Sequence, residues 1–303
     1  MKEITKENKL EQLLNDEENI DLKLSYSRIS DFSRNGPKAL IRPSNPEGDG
    51  LRFGSYVDDL LVDKVTNNNL CKDLYVVYDD NKPTATLGIL CDIIIDNYDV
   101  IPDKNTVLKI VKHNGFWSTT KDETKLIANF DKDEFWNYIK IKFETKDKVV
   151  VTQKESQDGE ECVDLLLNHK HTHHLFNNDF ENHYQFKFEY YYKGFHLRGI
   201  IDKMSIDHKN KIVYMEDIKT GSSRADEFTK SFIKYCYYFQ EAVYTKAFDS
   251  ICEQLGLKDY TLAPFKFIFI GRGEKVPHVF EISDKWHNAA INGFTTKAGY
   301  KYK

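Results

Sequence analysis

The chain has no apolar run long enough to span a bilayer. Its most apolar window, residues 87–100, is interrupted by Asp92, Asp96 and Asp99, which excludes a membrane-spanning helix there. It has no CxxC pair. Its five cysteines, Cys71, Cys91, Cys162, Cys236 and Cys252, stand without metal-like spacing. That pattern argues against a zinc ribbon or a disulfide framework and fits a reduced, intracellular protein. The opening MKEITKENKLEQLL is charged throughout, so no signal peptide is expected. No Gly/Ser-rich or Pro-rich tract interrupts the 303 residues, and no internal repeat is visible. One domain with its own insertion is therefore expected. Positive charge is not in excess: 43 Lys and Arg face 48 Asp and Glu, for a net charge of −5. A generally basic, polyanion-coating protein is excluded, but a local basic channel is not.

What is present centres on residues 195–219, FHLRGIIDKMSIDHKNKIVYMEDIK. The pattern predicts two strands around the turn Asp207-His208-Lys209-Asn210. Strand side chains switch faces at every residue. Asp217 and Lys219 thus share a face with Val213 and Met215, while Glu216 points away with Tyr214. A hairpin brings Asp202 of the preceding strand near Asp217. Two acids and a lysine are what metal-dependent phosphodiester cleavage needs: oxygen ligands for hard cations, and a cation beside the reacting phosphate. An Asp-x-Lys pair at a strand end is also an ordinary solvated ion pair, so the neighbouring segments decide.

Residues 5–18 read as a short amphipathic helix with Leu10, Leu13 and Leu14 on one side. Ser25 or Ser27 can cap a helix carrying Ile29 and Phe32, which Gly36-Pro37 ends. After a loop at 43–50, LRFGSYVDDLLVDKV reads as a helix. Gly54, Val57, Leu61 and Val65 form its apolar stripe at about 100° per residue. Asp58 projects within that stripe, where a carboxylate is costly unless paired or metal-bound. Asp59 and Asp63 read as ordinary solvated residues. Helices are expected over Pro83 to Tyr98, Thr106 to Lys112 and Glu134 to Phe143, and a short strand over Val149 to Val151. A helix from Lys154 to Phe176 carries His169 and His173, four apart. They could grip a metal, but no third ligand accompanies them and a polar helix face explains them. Glu189, on a strand at 186–192, is a further metal-shell acid or a plain surface residue. One long helix is expected from Asp226 to Ile251, with Gln240 and Tyr244 on one face. A buried strand over Phe265 to Ile270, a last helix at 284–296 and a frayed basic tail at 299–303 complete the chain.

In this order Ser25-Tyr26-Ser27 with Phe32 and Pro37, Gly54-Ser55-Tyr56-Val57-Asp58, Gly199-Ile200-Ile201-Asp202, Asp217-Ile218-Lys219-Thr220 and Gln240-Glu241-Ala242-Val243-Tyr244 resemble the PD-(D/E)xK nuclease superfamily. The likeness is to its RecB-like members and the phage exonuclease VIII (RecE-type) group. It implies an α/β core of the restriction-endonuclease kind: a central mixed sheet flanked by helices, from segments at about 24–62 and 184–271. A helical insertion at about 64–148 interrupts it. Carried onto matching positions, Asp58, Asp202 and Asp217 with the Ile218 carbonyl would hold metal, Lys219 would be the catalytic lysine, and Gln240 and Tyr244 would support the site or the DNA strand. Asp58 stands where the family commonly has histidine, which bears on metal choice. The implied cofactor is Mg²⁺, with Mn²⁺ able to substitute. No iron–sulfur cluster is expected, since no cysteine cluster exists.

The implied activity is exonucleolytic hydrolysis of double-stranded DNA ends for recombination or replication. The implied partners are DNA and a single-strand annealing protein, with assembly as a ring-shaped homo-oligomer. The implied place is the cytoplasm, of a host cell if phage-encoded. A structure-specific or flap endonuclease, and a catalytically idle DNA-binding scaffold, are the alternatives. Arg224, Lys230 and Lys234, just after the Asp217 strand, with Arg272 and Lys275 after the last core strand, are the candidate phosphate contacts. They are equally solvating charges that pair with Asp226 and Glu227.

Overall fold

The structure is a computed structural model. It describes residues 23–40, 49–80, 82–83, 85–177, 179–221, 224–295, 299 and 301–302. The helix expected at residues 5–18, and most of the loop at 43–50, lie outside the described residues. The chain forms two compact units, Met1–Asp58 with Cys162–Lys303, and Asp59–Glu161.

Along the chain come α1 (Tyr26–Asn35), a 3-10 turn at Pro37–Leu40, and α2 (Asp49–Thr66). Ser25 caps α1, its hydroxyl accepting from the Arg28 amide, and Gly36 ends the helix at φ 70°. Such a cap contributes about 1 kcal/mol. Next come α3 (Leu70–Leu74), β1 (Tyr75–Tyr78), α4 (Ala85–Asn97), α5 (Lys104–His113), α6 (Glu123–Phe130), α7 (Asp133–Glu144), β2 (Val149–Thr152) and α8 (Gln153–Asn168).

Within the unit 59–161, α4 to α7 bury a core of their own that includes Leu90, Ile94, Val111, Phe130, Phe135 and Ile139. β1 and β2 pair in parallel, Tyr75 opposite Val149. The apolar periodicity anticipates α4, α5 and α7, whereas α6 and β1 are too short to show it. Asp59 and Asp63 are not merely solvated here. Asp59 accepts a 2.7 Å hydrogen bond from the Tyr75 hydroxyl. Asp63 accepts from the Leu70 and Cys71 amides at 2.7 and 2.8 Å, satisfying the otherwise orphaned donors that open α3.

The other unit holds the larger sheet. Its strands are β3 (Glu181–Tyr192), β4 (Phe195–Asp207), β5 (Ile212–Gly221), β6 (Thr261–Leu262), β7 (Lys266–Gly271) and β8 (His278–Glu281). Between β5 and β6 lie α9 (Phe228–Lys234), α10 (Tyr237–Lys246) and α11 (Phe248–Leu255). α12 (Asp284–Asn292), β9 (Phe294–Thr295) and β10 (Lys301–Tyr302) follow β8. The order across the sheet is β3-β4-β5-β7-β8, with β6 on β5. β3/β4, β4/β5 and β7/β8 are antiparallel, and β5/β7 and β5/β6 are parallel. The protein is thus of mixed α/β class, with a central mixed sheet flanked by helices. The core between sheet and helices includes Ile201, Met204, Met215, Phe228, Val243 and Phe267.

Four expected elements differ. The last helix, expected at 284–296, ends at Asn292, where Gly293 at φ 76° leads into β9. The long helix after β5 is broken: Cys236 adopts φ 56°, ψ 42°, separating α9 from α10. The break is held from α1, because the Tyr26 and Ser30 hydroxyls both donate to the Tyr235 carbonyl, at 3.1 and 3.2 Å. The histidine-bearing helix ends at Asn168, so His169 and His173 lie in the turn that follows rather than on one helix face. The C-terminal residues expected to fray include β10, which pairs with β9, Lys301 opposite Thr295.

Candidate active site

The β4/β5 ladder runs from Asp207 opposite Ile212 to Lys203 opposite Glu216. Asp202 and Asp217 are the next positions on the two strands. There the backbone pairing gives way to a side chain: Asp202 Oδ2 accepts from the Ile218 amide at 2.8 Å. On its other side Asp202 faces Gln185 of β3, whose amide lies 3.4 Å from Oδ1. Gln185 has φ 51°, a strained conformation inside a strand that often marks a functional position. Nothing in the local sequence signals it.

Asp217 is buried at 1% exposure and lies against the Lys219 ammonium, two residues along the same face. The Gln240 amide donates to its other oxygen and to the Tyr244 hydroxyl, the latter at 3.2 Å. The face-sharing of Gln240 and Tyr244 read from the sequence therefore orients them at Asp217. Close packing is needed here: a Cβ on Gly199 of β4 would come within 2.9 Å of the Tyr244 ring. The Lys219 ammonium sits over the Tyr237 ring at 5.0 Å and the Phe267 ring at 5.9 Å. Such faces stabilise a desolvated cation. Tyr237 opens α10 directly after the Cys236 break, so the break determines where this ring stands. Sequence reasoning missed Tyr237 and Gln185 and gave Tyr26, though part of a matching motif, no role; the places of all three depend on distant segments.

The electrostatics are unbalanced. Burial, then Asp217, then Asp58 push the Asp202 carboxyl well above the ordinary aspartate range. Burial draws the Lys219 ammonium down, but Asp217 and Asp202 more than reverse it, and its pKa ends well above the usual lysine value. Lys219 therefore stays protonated; Asp217 and Asp202 both act on this one lysine, and Asp217 and Asp58 act on Asp202. Asp58, half-buried on α2, contributes through this field. A few residues earlier, a Cβ on Gly54 would lie 3.3 Å from the Thr220 hydroxyl, so α2 passes close to the end of β5.

Among the described residues no group of three or more His, Cys, Asp or Glu side chains forms a metal cage as the side chains lie. Asp217 is turned toward Lys219 and Gln240. The residues nevertheless suit a hard divalent cation in kind: the acids offer only oxygen, and the raised Asp202 carboxyl marks a place short of positive charge. Ile218 is buried in the ladder with β7, opposite Ile268. Glu189 is a surface residue, paired with Lys23 at 2.9 Å and His196 at 3.1 Å.

The candidate phosphate contacts are dispersed. Arg224 lies 3.5 Å from Asp226 and Lys230 lies 3.0 Å from Glu227; Arg224, Asp226 and Lys230 are strongly exposed and Glu227 is half-buried. Lys234 lies over the Tyr235 ring. Arg272 stacks on Phe53 at 4.8 Å, and Lys275 is exposed. No helix among the described residues is long and apolar enough to cross a membrane.

No protein-family profile matches the chain, and no curated protein matches it. Among solved structures it is similar to a protein from Eubacterium rectale provisionally described as an exonuclease. The identity is 14%, the TM-score is 0.45, and the match covers 95% of this chain and 80% of that one.

Proposed function

We propose that the chain is a divalent-cation-dependent deoxyribonuclease of the PD-(D/E)xK kind, acting as an exonuclease on DNA ends. The observation that carries this reading is the pairing of Asp217 and Lys219 on one face of β5, with Asp202 beside them on β4 and Gln240 holding Asp217. Asp202 and Asp217, with Asp58 and the Ile218 carbonyl, are the groups that would hold Mg²⁺ or Mn²⁺. Such a cation supplies an activated water at neutral pH and charge for the phosphoryl oxygens.

The chain's own residues do the rest. Lys219, kept protonated by its acidic neighbours, is a fixed cation for the scissile phosphate and does not act as a base. Tyr237 and Phe267 keep its ammonium at the end of β5. Gln240, braced by Tyr244, fixes the orientation of Asp217. Arg224, Lys230, Lys234, Arg272 and Lys275 would meet the DNA backbone. A role in processing double-stranded ends for recombination, with an annealing protein as partner and a ring-shaped homo-oligomer as the working form, belongs to the same reading.

The test is digestion of linear and covalently closed circular duplex DNA by the full chain, with magnesium and with a chelator. Loss of the linear form alone, and only with magnesium, is expected. Cleavage of the closed circle would make it an endonuclease. No cleavage of either form with magnesium or manganese would make it an idle scaffold.

A further inference from the structure

Beside the proposed centre, in the same compact unit, lies a groove of about 770 Å³. Its walls are α1, the tip of the β3–β4 hairpin, α10 and the last turn of α12. Three observations say what it takes.

The first is exposed flat aromatic surface. Phe195 is 60% exposed and Phe32 43%. Tyr192, across the hairpin from Phe195, shares its face and also lines the groove. The hairpin turn that carries these rings is tight, with Lys193 at φ 51° and Gly194 at φ 84°. Large apolar side chains gathered at one exposed tip mark a binding surface.

The second is the charge of the lining. Lys193 and Lys246 line the groove with His196, and no Asp or Glu does among the described residues. This holds in a chain whose acids outnumber its bases, 48 to 43. Glu189, one residue before the lining segment of β3, is engaged by Lys23 and His196.

The third is continuity with the proposed centre. α10 carries Gln240 against Asp217. Val243 and Lys246, three and six residues further on, line the groove. That is about 5 and 9 Å along the helix axis. α1 likewise serves both places, holding the Tyr235 carbonyl through Tyr26 and Ser30 and lining the groove with Ile29 and Phe32.

We propose that this groove holds a few unpaired nucleobases of a single-stranded DNA end. Their faces lie against Phe195 and Phe32, and their phosphates lie toward Lys193 and Lys246. Flat rings beside cations are how proteins hold single strands without reading sequence, because every base has a stacking face. The alternative occupant is an acidic amphipathic helix of a protein partner. It needs apolar depth and cations, but it has no use for flat rings presented at an exposed tip. The inference rests on the nuclease reading for the identity of the polymer.

The test is fluorescence anisotropy with the full chain in chelator, so that no cleavage occurs. The probes are a short oligothymidylate and an abasic deoxyribose-phosphate oligomer of the same length and charge. Oligothymidylate should bind at least about tenfold more tightly than the abasic oligomer. Phe32→Ala with Phe195→Ala should erase that preference while thermal unfolding stays unchanged, as both rings are exposed. Phe195→Trp should keep it. Lys193→Ala with Lys246→Ala should weaken both probes and lower the salt slope by about 0.7 for each phosphate that is no longer neutralised. Equal binding of the two probes, or an unchanged preference in the aromatic double variant, overturns the proposal. An acidic-helix occupant would give the same negative result. Cleavage does not enter the assay. A chain that prefers bases but never cuts DNA contradicts only the nuclease reading. A chain that cuts but shows no base preference contradicts only the groove.

Discussion

The β4–β5 hairpin carries two lysine–carboxylate pairs on opposite faces, and they are built to different ends. On one face Lys203 donates to Glu216 at 2.6 Å and to Ser205, and Ser205 donates onward to Asn182 at 2.7 Å. Lys203 and Glu216 are 1% and 2% exposed, and the Phe176 ring lies 5.6 Å from the ammonium. Burial draws the Lys203 pKa down and Glu216 opposes it, so one cation meets one anion in a closed network. On the other face Lys219 meets Asp217 but must also answer Asp202, with Asp58 adding to the crowd. Its side chain is 19% exposed. The first pair is complete and structural. The second has more negative charge than its lysine can balance and keeps an opening to solvent, as the proposed cation- and phosphate-binding role requires.

The comparison can be broken by exchanging the damage. Lys219→Ala should lower metal-dependent DNA cleavage by about a thousandfold, since a charge at a reacting phosphate is worth several kcal/mol. Its urea midpoint should fall less than that of Lys203→Met, because Asp217 keeps the Gln240 amide and the Lys219 side chain is partly open to solvent. Lys203→Met should do the reverse. It strands a buried Glu216 and should cost about 3–5 kcal/mol of stability, while activity per folded molecule persists. Urea unfolding and single-turnover cleavage on both variants decide the matter, and identical phenotypes would erase the distinction.

A smaller effect separates the neighbouring aspartates of α2. Asp58→Ala should impair cleavage with little change in stability. Asp59→Ala should leave cleavage and lose about 1 kcal/mol, the hydrogen bond from Tyr75. Reversed outcomes would mean that α2 presents a different face to β5.

The crowding of acids gives a pH signature. The Asp202 carboxyl is raised in the fold, so the native chain holds this proton where the unfolded chain has released it. The stability this proton contributes is lost as pH rises through that window, and the cost of the charge is then fully present. In chelator, Asp202→Asn should therefore unfold at a higher temperature than wild type above the window and at the same temperature below the ordinary aspartate range. A gap that does not grow with pH would show that Asp202 is not electrostatically strained.

The smallest effect concerns the ring under Lys219. Tyr237→Phe should retain activity and Tyr237→Leu should lose about fivefold, in line with a cation–π interaction of about 1 kcal/mol. Equal loss in both would assign the role to the hydroxyl instead of the ring.

Much of the site is legible in the sequence, because strand alternation is local. It puts Asp217 and Lys219 on one face and Glu216 on the other, and helical spacing puts Gln240 beside Tyr244. The partner of Glu216 is not legible from alternation alone, because Lys203 faces it only once the hairpin register is known. What stays hidden depends on tertiary structure. Cys236 breaks a helix without Gly or Pro, because the Tyr235 carbonyl is taken up by Tyr26 and Ser30 of a segment some two hundred residues earlier. Gln185 is strained opposite Asp202 with no signal among its neighbours. The histidine turn ends a helix that composition alone would continue.

The contrast between the two faces comes down to which of them takes up a cation. Calorimetric titration of the full chain with Mn²⁺ measures it directly, using wild type, Asp217→Asn and Lys203→Met. Saturable binding by wild type and Lys203→Met, abolished in Asp217→Asn, is the predicted result. Binding by Asp217→Asn as tight as wild type, or no binding by wild type at all, would contradict the account.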